Sequence, residues 1–229
     1  DGGSQKTDFK KCLEFLNKTC DLVISEPDKG IFDGLNKGLN IANGEILFMI
    51  GSDDYLINSD AFNIALSKFN EGNKMVIFEL FYVNQKNKIE RYWTLPKNLI
   101  KVPPYFQIPH FSTFVSKNLV GRTRFNLNSF ISADFSFFKE INKKNNKVSI
   151  INTPICCMTS GGQSSKNYVN IFKGNIQSLR DLNFNPYLIL RFIFHKIFTK
   201  TKHFLLLYFD KNKRKDFQDK INSSLLEFK

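Results

Sequence analysis

Apolar positions along the chain change their period several times, and each change marks an element. In QKTDFKKCLEFLNKTC (5–20), Phe9, Cys12, Leu13, Phe15 and Leu16 fall near helical spacing, which predicts an amphipathic helix. DLVIS (21–25) predicts a short strand, EPDKG a turn punctuated by Pro27 and Gly30, and IFDGLNKGLNIANG a helix closed by Gly44. EILFMI (45–50) is a continuous apolar run of the kind found in buried parallel strands. Turn, helix, strand, helix, strand is the order of a doubly wound α/β sheet.

The second half continues the alternation. Residues 59–71 predict a helix with Ser59 as its cap, and KMVIFELFYVNQKNKIERYW predicts two strands joined through a polar NQKNK turn. Four prolines between Leu95 and Phe111 predict a loop that lines a site or links the sheet to later elements. ISADFSFFKEINKK returns to helical spacing, KVSIINTPICCM to strand, and TSGGQSSKN reads as a polar loop. From Pro186 the chain changes character: PYLILRFIFHKIFTKTKHFLLLYFDKNKRK interleaves Phe, Leu and Ile with Arg191, His195, Lys196, Lys200 and Lys202. Its apolar runs are too interrupted for a spanning helix. Two readings fit: a basic amphipathic helix on an anionic membrane surface, or a helix packing its apolar face on the domain or on a partner. His195 and His203 read as polar-face residues of this tail without chemistry. The expected organisation is one α/β domain over 1–180 and a helical tail over 181–229.

Composition narrows the class. The 229 residues include 42% apolar side chains and 25 Phe, which favours a packed core over disorder. An excess of 33 Lys and Arg over 21 Asp and Glu favours acidic partners such as nucleotide phosphates, anionic lipid or an acidic glycan. Nucleic acid lacks support, because the aromatics fall in apolar runs instead of a stacking stripe. Cys12, Cys20, Cys156 and Cys157 form no C-x-x-C pair and read as reduced, structural thiols of a cytosolic protein.

Against this basic background, FMIGSDDYL (48–56) sets Asp53 and Asp54 side by side where an apolar strand stops. Neighbouring acids repel and resist desolvation, so they persist where solvent or a cation compensates them. Two carboxylates at a strand end can hold a hard divalent cation whose remaining positions go to water and phosphate oxygens. A helix cap before YLINSDAF accounts for the same pair.

DGGS, followed by ISEPDKGIFDGLNKGLNIANGEILFMIGSDDYL and then, more thinly, by PHFSTFVSKNLV, FISADFSFFKEI and SGGQSS, resembles the family 2 glycosyltransferases of GT-A fold, particularly those of bacterial surface-polysaccharide assembly. The resemblance covers roughly residues 1 to 165. It implies a Rossmann-like three-layer α/β sandwich, with the tail as a helical appendage. It also implies an inverting, metal-dependent hexosyltransferase using a nucleotide-diphosphate sugar, UDP-linked, and a glycan or lipid-linked acceptor hydroxyl. By this resemblance Asp1 contacts the nucleotide base, Asp54 is the direct ligand of Mn²⁺ or Mg²⁺, and Asp53 lies near the ribose or the metal. Asp134 falls at the general-base position, where the bottom-up alternative is a helix cap. Asp28, Lys29, Gly30 and Asp33 match the EPDKG segment that faces diphosphate or base, and His110 matches a histidine of the acceptor or diphosphate region; a solvated turn and a structural histidine are the plain alternatives. The SGGQSS loop, with Gly161, Gly162 and Ser164, is a lid or a surface loop.

The chain departs from the pattern in two places. Asn36 falls among the nucleotide-binding positions that the resemblance implies, but many relatives carry Arg before that Asn, whereas here Leu35 precedes it, leaving Lys37 or Lys29 to substitute. The strand, helix and strand that normally precede the D-[DG]-G-S turn are missing, which predicts a fragment of a longer protein with poor activity alone. A different class therefore stays open: a non-catalytic protein with a GT-A core that binds a nucleotide sugar or acts as a scaffold. The catalytic reading places the protein at the cytoplasmic face of the cell membrane.

Overall fold

The computed structural model describes all residues except 4–5, 97–101, 104–105, 130–131, 144–145, 161–167, 210–214, 217 and 220–229. The SGGQSS loop lies outside the described residues apart from Ser160. Seven α-helices are described: α1 (Lys6–Thr19), α2 (Ile31–Ile41), α3 (Asp60–Asn70), α4 (Lys117–Val120), α5 (Ala133–Asn142), α6 (Tyr168–Asp181) and α7 (Pro186–Phe209). The strands are β1 (Ile46–Phe48), β2 (Tyr55–Leu56), β3 (Met75–Val83), β4 (Ile89–Trp93), β5 (Thr113–Ser116) and β6 (Val148–Thr159).

The strands form one sheet in the order β1-β5-β3-β6-β2, with β4 also paired to β3. The long central strand, β3, is buried on both faces, and its alternation divides the core. Met75 and Ile77 face α2 and α5, packing with Phe32, Leu39, Phe137, Phe138 and Ile141. Val76, Phe78 and Leu80 face the other way, onto Ala61 and Ala65 of α3. Helices on both faces of one sheet make the three layers expected from the sequence.

The expectation of a parallel sheet needs correction. Among the described strands only β3 and β6 pair in parallel; β1 with β5, β5 with β3, β3 with β4, and β2 with β6 are antiparallel. A continuous apolar run signals burial on two faces and does not encode the direction of the neighbour. Nor is DLVIS a strand. Among the described residues it joins no strand of the sheet, and its neighbourhood meets Asp1: Asp1 N donates to Ile24 O at 2.9 Å, and Glu26 N to Asp1 O at 3.1 Å. Ser59 does not cap α3 with its side chain. Asn58 Oδ1 takes that role, accepting from Asp60 N at 3.0 Å.

Pro154 lies in β6, a strand with neighbours on both sides. It is tolerated because the register with β3 shifts on either side of it, and a bulge releases the ladder bond that proline cannot make. Asn152, at this irregularity, turns its amide onto Glu79 Oε1 and Leu95 O, both at 3.0 Å. Glu79 is buried and also accepts from Leu95 N at 2.8 Å and from the Tyr92 hydroxyl. One carboxylate thereby ties β4 and the start of the proline-rich loop to the sheet.

The tail packs on the domain through one side of α7. Phe192 is fully buried, its ring 5.2 Å from that of Phe135, and Ile189 and Ile193 join Leu179 in the same cluster. His195, read from sequence as a polar-face residue, instead sets its ring 5.6 Å from Phe106. Burial and the charges of Lys196 and Lys139 push its pKa down to about 4.

Candidate active site

The sequence-predicted residues fall into two clusters. In the first, the turn at Asp1 lies along EPDKG and the start of α2. Asp1 Oδ2 accepts from Ser25 Oγ at 2.8 Å and from Gly3 N at 3.2 Å. The carboxylate of Asp28 occupies the space beside two glycines: a Cβ on Gly2 would meet its Oδ2 at 2.9 Å, and one on Gly34 at 2.8 Å. Gly30 enters α2 with φ 120°, a backbone conformation that side-chain-bearing residues avoid. Asp33 Oδ2 reaches back to accept from Lys29 N at 2.9 Å, which fixes the turn that enters α2. The Lys29 residue is exposed.

Lys37 holds this cluster together. Its Nζ lies 2.6 Å from Asp28 Oδ1, 2.8 Å from Glu26 Oε1 and 4.0 Å from Asp33 Oδ2, and it also donates to Pro27 O at 3.1 Å. The hydrogen bonds to Asp28 and Glu26 hold its pKa above the ordinary lysine value. Asn36 turns the other way. Its amide exchanges two bonds with the backbone of Phe125, Nδ2 to O at 2.9 Å and N to Oδ1 at 2.8 Å, so it pins α2 to the loop before α5.

The second cluster gathers Asp53, Asp54, His110 and Asp134. A turn closed by Asp54 N to Gly51 O, at 3.2 Å, follows β1 and leads into β2. Pairing of β2 with β6 brings Thr159 against it: Thr159 N donates to Asp54 Oδ1 at 3.2 Å and Thr159 Oγ1 to the Asp53 carbonyl at 2.7 Å. Both carboxylates converge over Gly51, where a Cβ would meet Asp54 Oδ2 at 2.6 Å and Asp53 Oδ1 at 3.3 Å. Burial, then repulsion from Asp53, pushes the Asp54 pKa up to about 6, despite opposing contributions from the Thr159 and Gly51 backbone bonds and from His110.

His110 lies between two carboxylates electrostatically. Its Nδ1 is 3.4 Å from Asp134 Oδ2, and its charge acts on Asp54 as well. Burial alone would raise the Asp134 pKa; the bond and charge of His110, the Phe135 N–H and the charge of Lys196 reverse this and lower it. Asp134 is in the first turn of α5, whose N-cap residue, Ser132, makes no side-chain capping bond.

Three contributors were not anticipated. Thr159 clasps the acidic turn. Lys139, buried on α5, donates to Phe106 O, and burial followed by the charge of Lys196 lowers its pKa to about 7. Lys196, from α7, donates to Gln107 Oε1. Burial lowers its pKa to about 8 although Asp134 opposes the shift. The two lysines had a signal in the sequence: each sits four residues after a core Phe, Lys139 after Phe135 and Lys196 after Phe192, on the apolar side of its helix. Thr159 had none, since the β2–β6 pairing that delivers it is long-range.

The donor set over Gly51 is all oxygen and carries paired negative charge with little compensation, which suits a hard divalent cation. Among the described residues no group of three His, Cys, Asp or Glu side chains forms a cage. An ion held by Asp53 and Asp54 would therefore draw its other ligands from water or substrate.

No protein-family model matches the sequence, and no curated protein sequence matches it. Among solved structures, the chain is similar to S. aureus TarS 1–349 in complex with UDP-GlcNAc, with TM-score 0.60 and 16% identity over 83% of this chain and 60% of that one. It is similar to the UDP complex of the same protein, with TM-score 0.58 and 15% identity over 82% of this chain and 58% of that one. The full S. aureus TarS structure gives a TM-score of 0.57, with 82% of this chain and 35% of that one covered. The chain thus spans about three fifths of the TarS 1–349 structures it resembles. The architecture built from β3 outward is that of a GT-A glycosyltransferase fold.

Proposed function

We propose that the chain carries the donor site and base of an inverting, family 2 type glycosyltransferase that moves a hexosyl group from a nucleotide diphosphate, with UDP as the nucleotide. The observation that carries this reading is the convergence of Asp53 and Asp54 over Gly51 beside the His110–Asp134 pair. The fold likeness to a protein solved with UDP and UDP-GlcNAc supports it. Asp54, with Asp53 beside it, would hold Mn²⁺ or Mg²⁺, which when bound neutralises charge on a diphosphate leaving group.

In this reading Asp134, ionised and oriented by His110, accepts the proton of the acceptor hydroxyl as that oxygen attacks the anomeric carbon opposite the nucleotide. The new carbon–oxygen bond forms as the bond to the diphosphate breaks, and the nucleotide diphosphate leaves with the electron pair. A single displacement inverts the centre. The cluster around Asp1, Asp28, Lys29, Gly30 and Asp33 takes the nucleotide base and ribose side. The acceptor is a glycan or lipid-linked hydroxyl of cell-surface polysaccharide, met at the cytoplasmic face of the membrane.

A second reading has its own support. Lys37, a candidate to replace the Arg absent at Leu35, is bound to Glu26, Asp28 and Pro27. Nucleotide binding without turnover would favour a non-catalytic sugar-nucleotide binder. Titration of UDP with and without Mn²⁺, on the parent and on Asp53→Ala and Asp54→Ala, tests the donor site. Metal-dependent affinity lost in both variants is expected; UDP binding indifferent to metal and to both substitutions overturns the assignment.

A further inference from the structure

The α7 helix is apolar on two opposite sides. Its inward side, with Ile189, Phe192 and Ile193, is used in the core. Its outward side carries Tyr187, Leu190, Phe194 and Phe198, separated by three or four residues as one helical face requires. These four are 63%, 50%, 64% and 68% exposed. A contiguous row of large exposed apolar side chains marks a contact surface.

Charge narrows what it contacts. None of residues 186–209 is acidic, while Arg191, Lys200 and Lys202 are basic beside the inward-facing Lys196, and the chain as a whole carries +12. On the preceding helix, α6, exposed Lys173 and Arg180 outnumber the one exposed acid, Asp181. A shallow apolar layer beneath diffuse negative charge is what an anionic bilayer surface offers. Among the described residues no helix is long and apolar enough to cross a membrane, so the contact is in the plane of the surface.

We infer that the outward face of α7, led by Leu190, Phe194 and Phe198, docks on the surface of an anionic lipid bilayer. The inward face of the same helix packs on Phe135, the residue after Asp134. Docking therefore sets the start of α5, where Asp134 lies, behind α7 on the side away from the headgroups. That consequence for a lipid-linked acceptor rests on the proposed transferase reading; the docking itself does not.

Sedimentation of the whole chain with phosphatidylcholine vesicles, with and without phosphatidylglycerol, tests the inference against the Leu190→Glu/Phe194→Glu variant. Expected is binding that requires phosphatidylglycerol, weakens with salt, and drops about tenfold or more in the variant. The variant's thermal midpoint should stay near the parent's, since both side chains are exposed. If the double variant does not fold, Phe198→Glu alone serves with the same expectation. Equal binding of parent and variant, or no binding by the parent, overturns the inference. So does a concentration-dependent dimer that the variant loses while vesicle binding is absent, which assigns the face to a second copy. No nucleotide enters the assay, so its failure is separate from a failure of the UDP titration.

Discussion

His110 Nδ1 and Asp134 Oδ2 lie 3.4 Å apart, with only 15% and 16% of the two side chains exposed. The pair joins the end of the proline-rich loop to the first turn of α5. His110→Ala leaves an enclosed carboxylate with the Phe135 N–H and the more distant Lys196 charge, so about 1–3 kcal/mol should be lost at pH 7. The folded pKa of Asp134 is lowered. Its contribution is therefore full above the unfolded value, about pH 4, and is lost as pH falls through the folded one. Urea unfolding should show the parent–variant gap closing below about pH 4. A gap equal at acid and neutral pH would instead assign the effect to packing of the imidazole on Phe111, 3.8 Å away by ring centroids.

Asp54 titrates in the opposite sense. Its folded pKa is raised to about 6, so the native state holds the proton more tightly than the unfolded chain. Stability from this group falls as pH rises from about 4 to 6 and is then flat. Asp54→Asn removes that penalty and should raise stability at pH 7 by about 1 kcal/mol, after allowance for solvent screening. Mn²⁺ should raise the melting temperature of the parent and not of the variant. An equal rise in both would mean that the ion binds elsewhere.

Gly51→Ala separates fold from site. The new Cβ meets the carboxylate ends of Asp54 and Asp53, at 2.6 and 3.3 Å, so the acids are displaced from their shared position. Metal-dependent UDP affinity should fall about tenfold, the effect of roughly 1.4 kcal/mol, with little change in the melting temperature. Unchanged affinity would show that the convergence over Gly51 is not needed for donor binding.

Much of this was legible in the chain, for a physical reason: local pattern reports burial and local geometry. The apolar run of β3, the polar NQKNK turn into β4 and the helical spacing of α2, α3 and α5 are all short-range signals. The adjacency of Asp53 and Asp54 is likewise local. What stayed hidden depends on partners distant in sequence. DLVIS has strand composition, but among the described residues it joins no strand of the sheet and pairs with Asp1. Thr159 meets the acidic turn through β2–β6 pairing, and Lys196 reaches the neighbourhood of Asp134 only because Phe192 anchors α7 on Phe135.

Asn36 shows how a motif position can be structural. Its amide satisfies both backbone groups of Phe125, and Asn36→Leu leaves that N–H and C=O without partners. A loss of about 1–3 kcal/mol in chemical denaturation is expected. UDP affinity measured well below the melting temperature should change less than twofold. A large loss of affinity in a variant that remains folded would restore the nucleotide contact implied by the resemblance.

Lys139 carries a charge inside the core. It is 2% exposed, and its pKa is lowered to about 7, by burial first and then by the charge of Lys196. The unfolded chain holds this proton up to about pH 10. Between these values the folded state binds fewer protons, so stability from this group increases with pH and is least below pH 7. Lys139→Met keeps the length of the side chain without the charge, at the cost of the bond to Phe106 O. A net gain of about 1 kcal/mol or more is expected at pH 6, shrinking towards pH 10. Thermal unfolding of parent and variant across that range checks it. A variant less stable at every pH would mean that the bond to Phe106 outweighs the burial of the charge, making Lys139 a structural tether between α5 and the loop before His110.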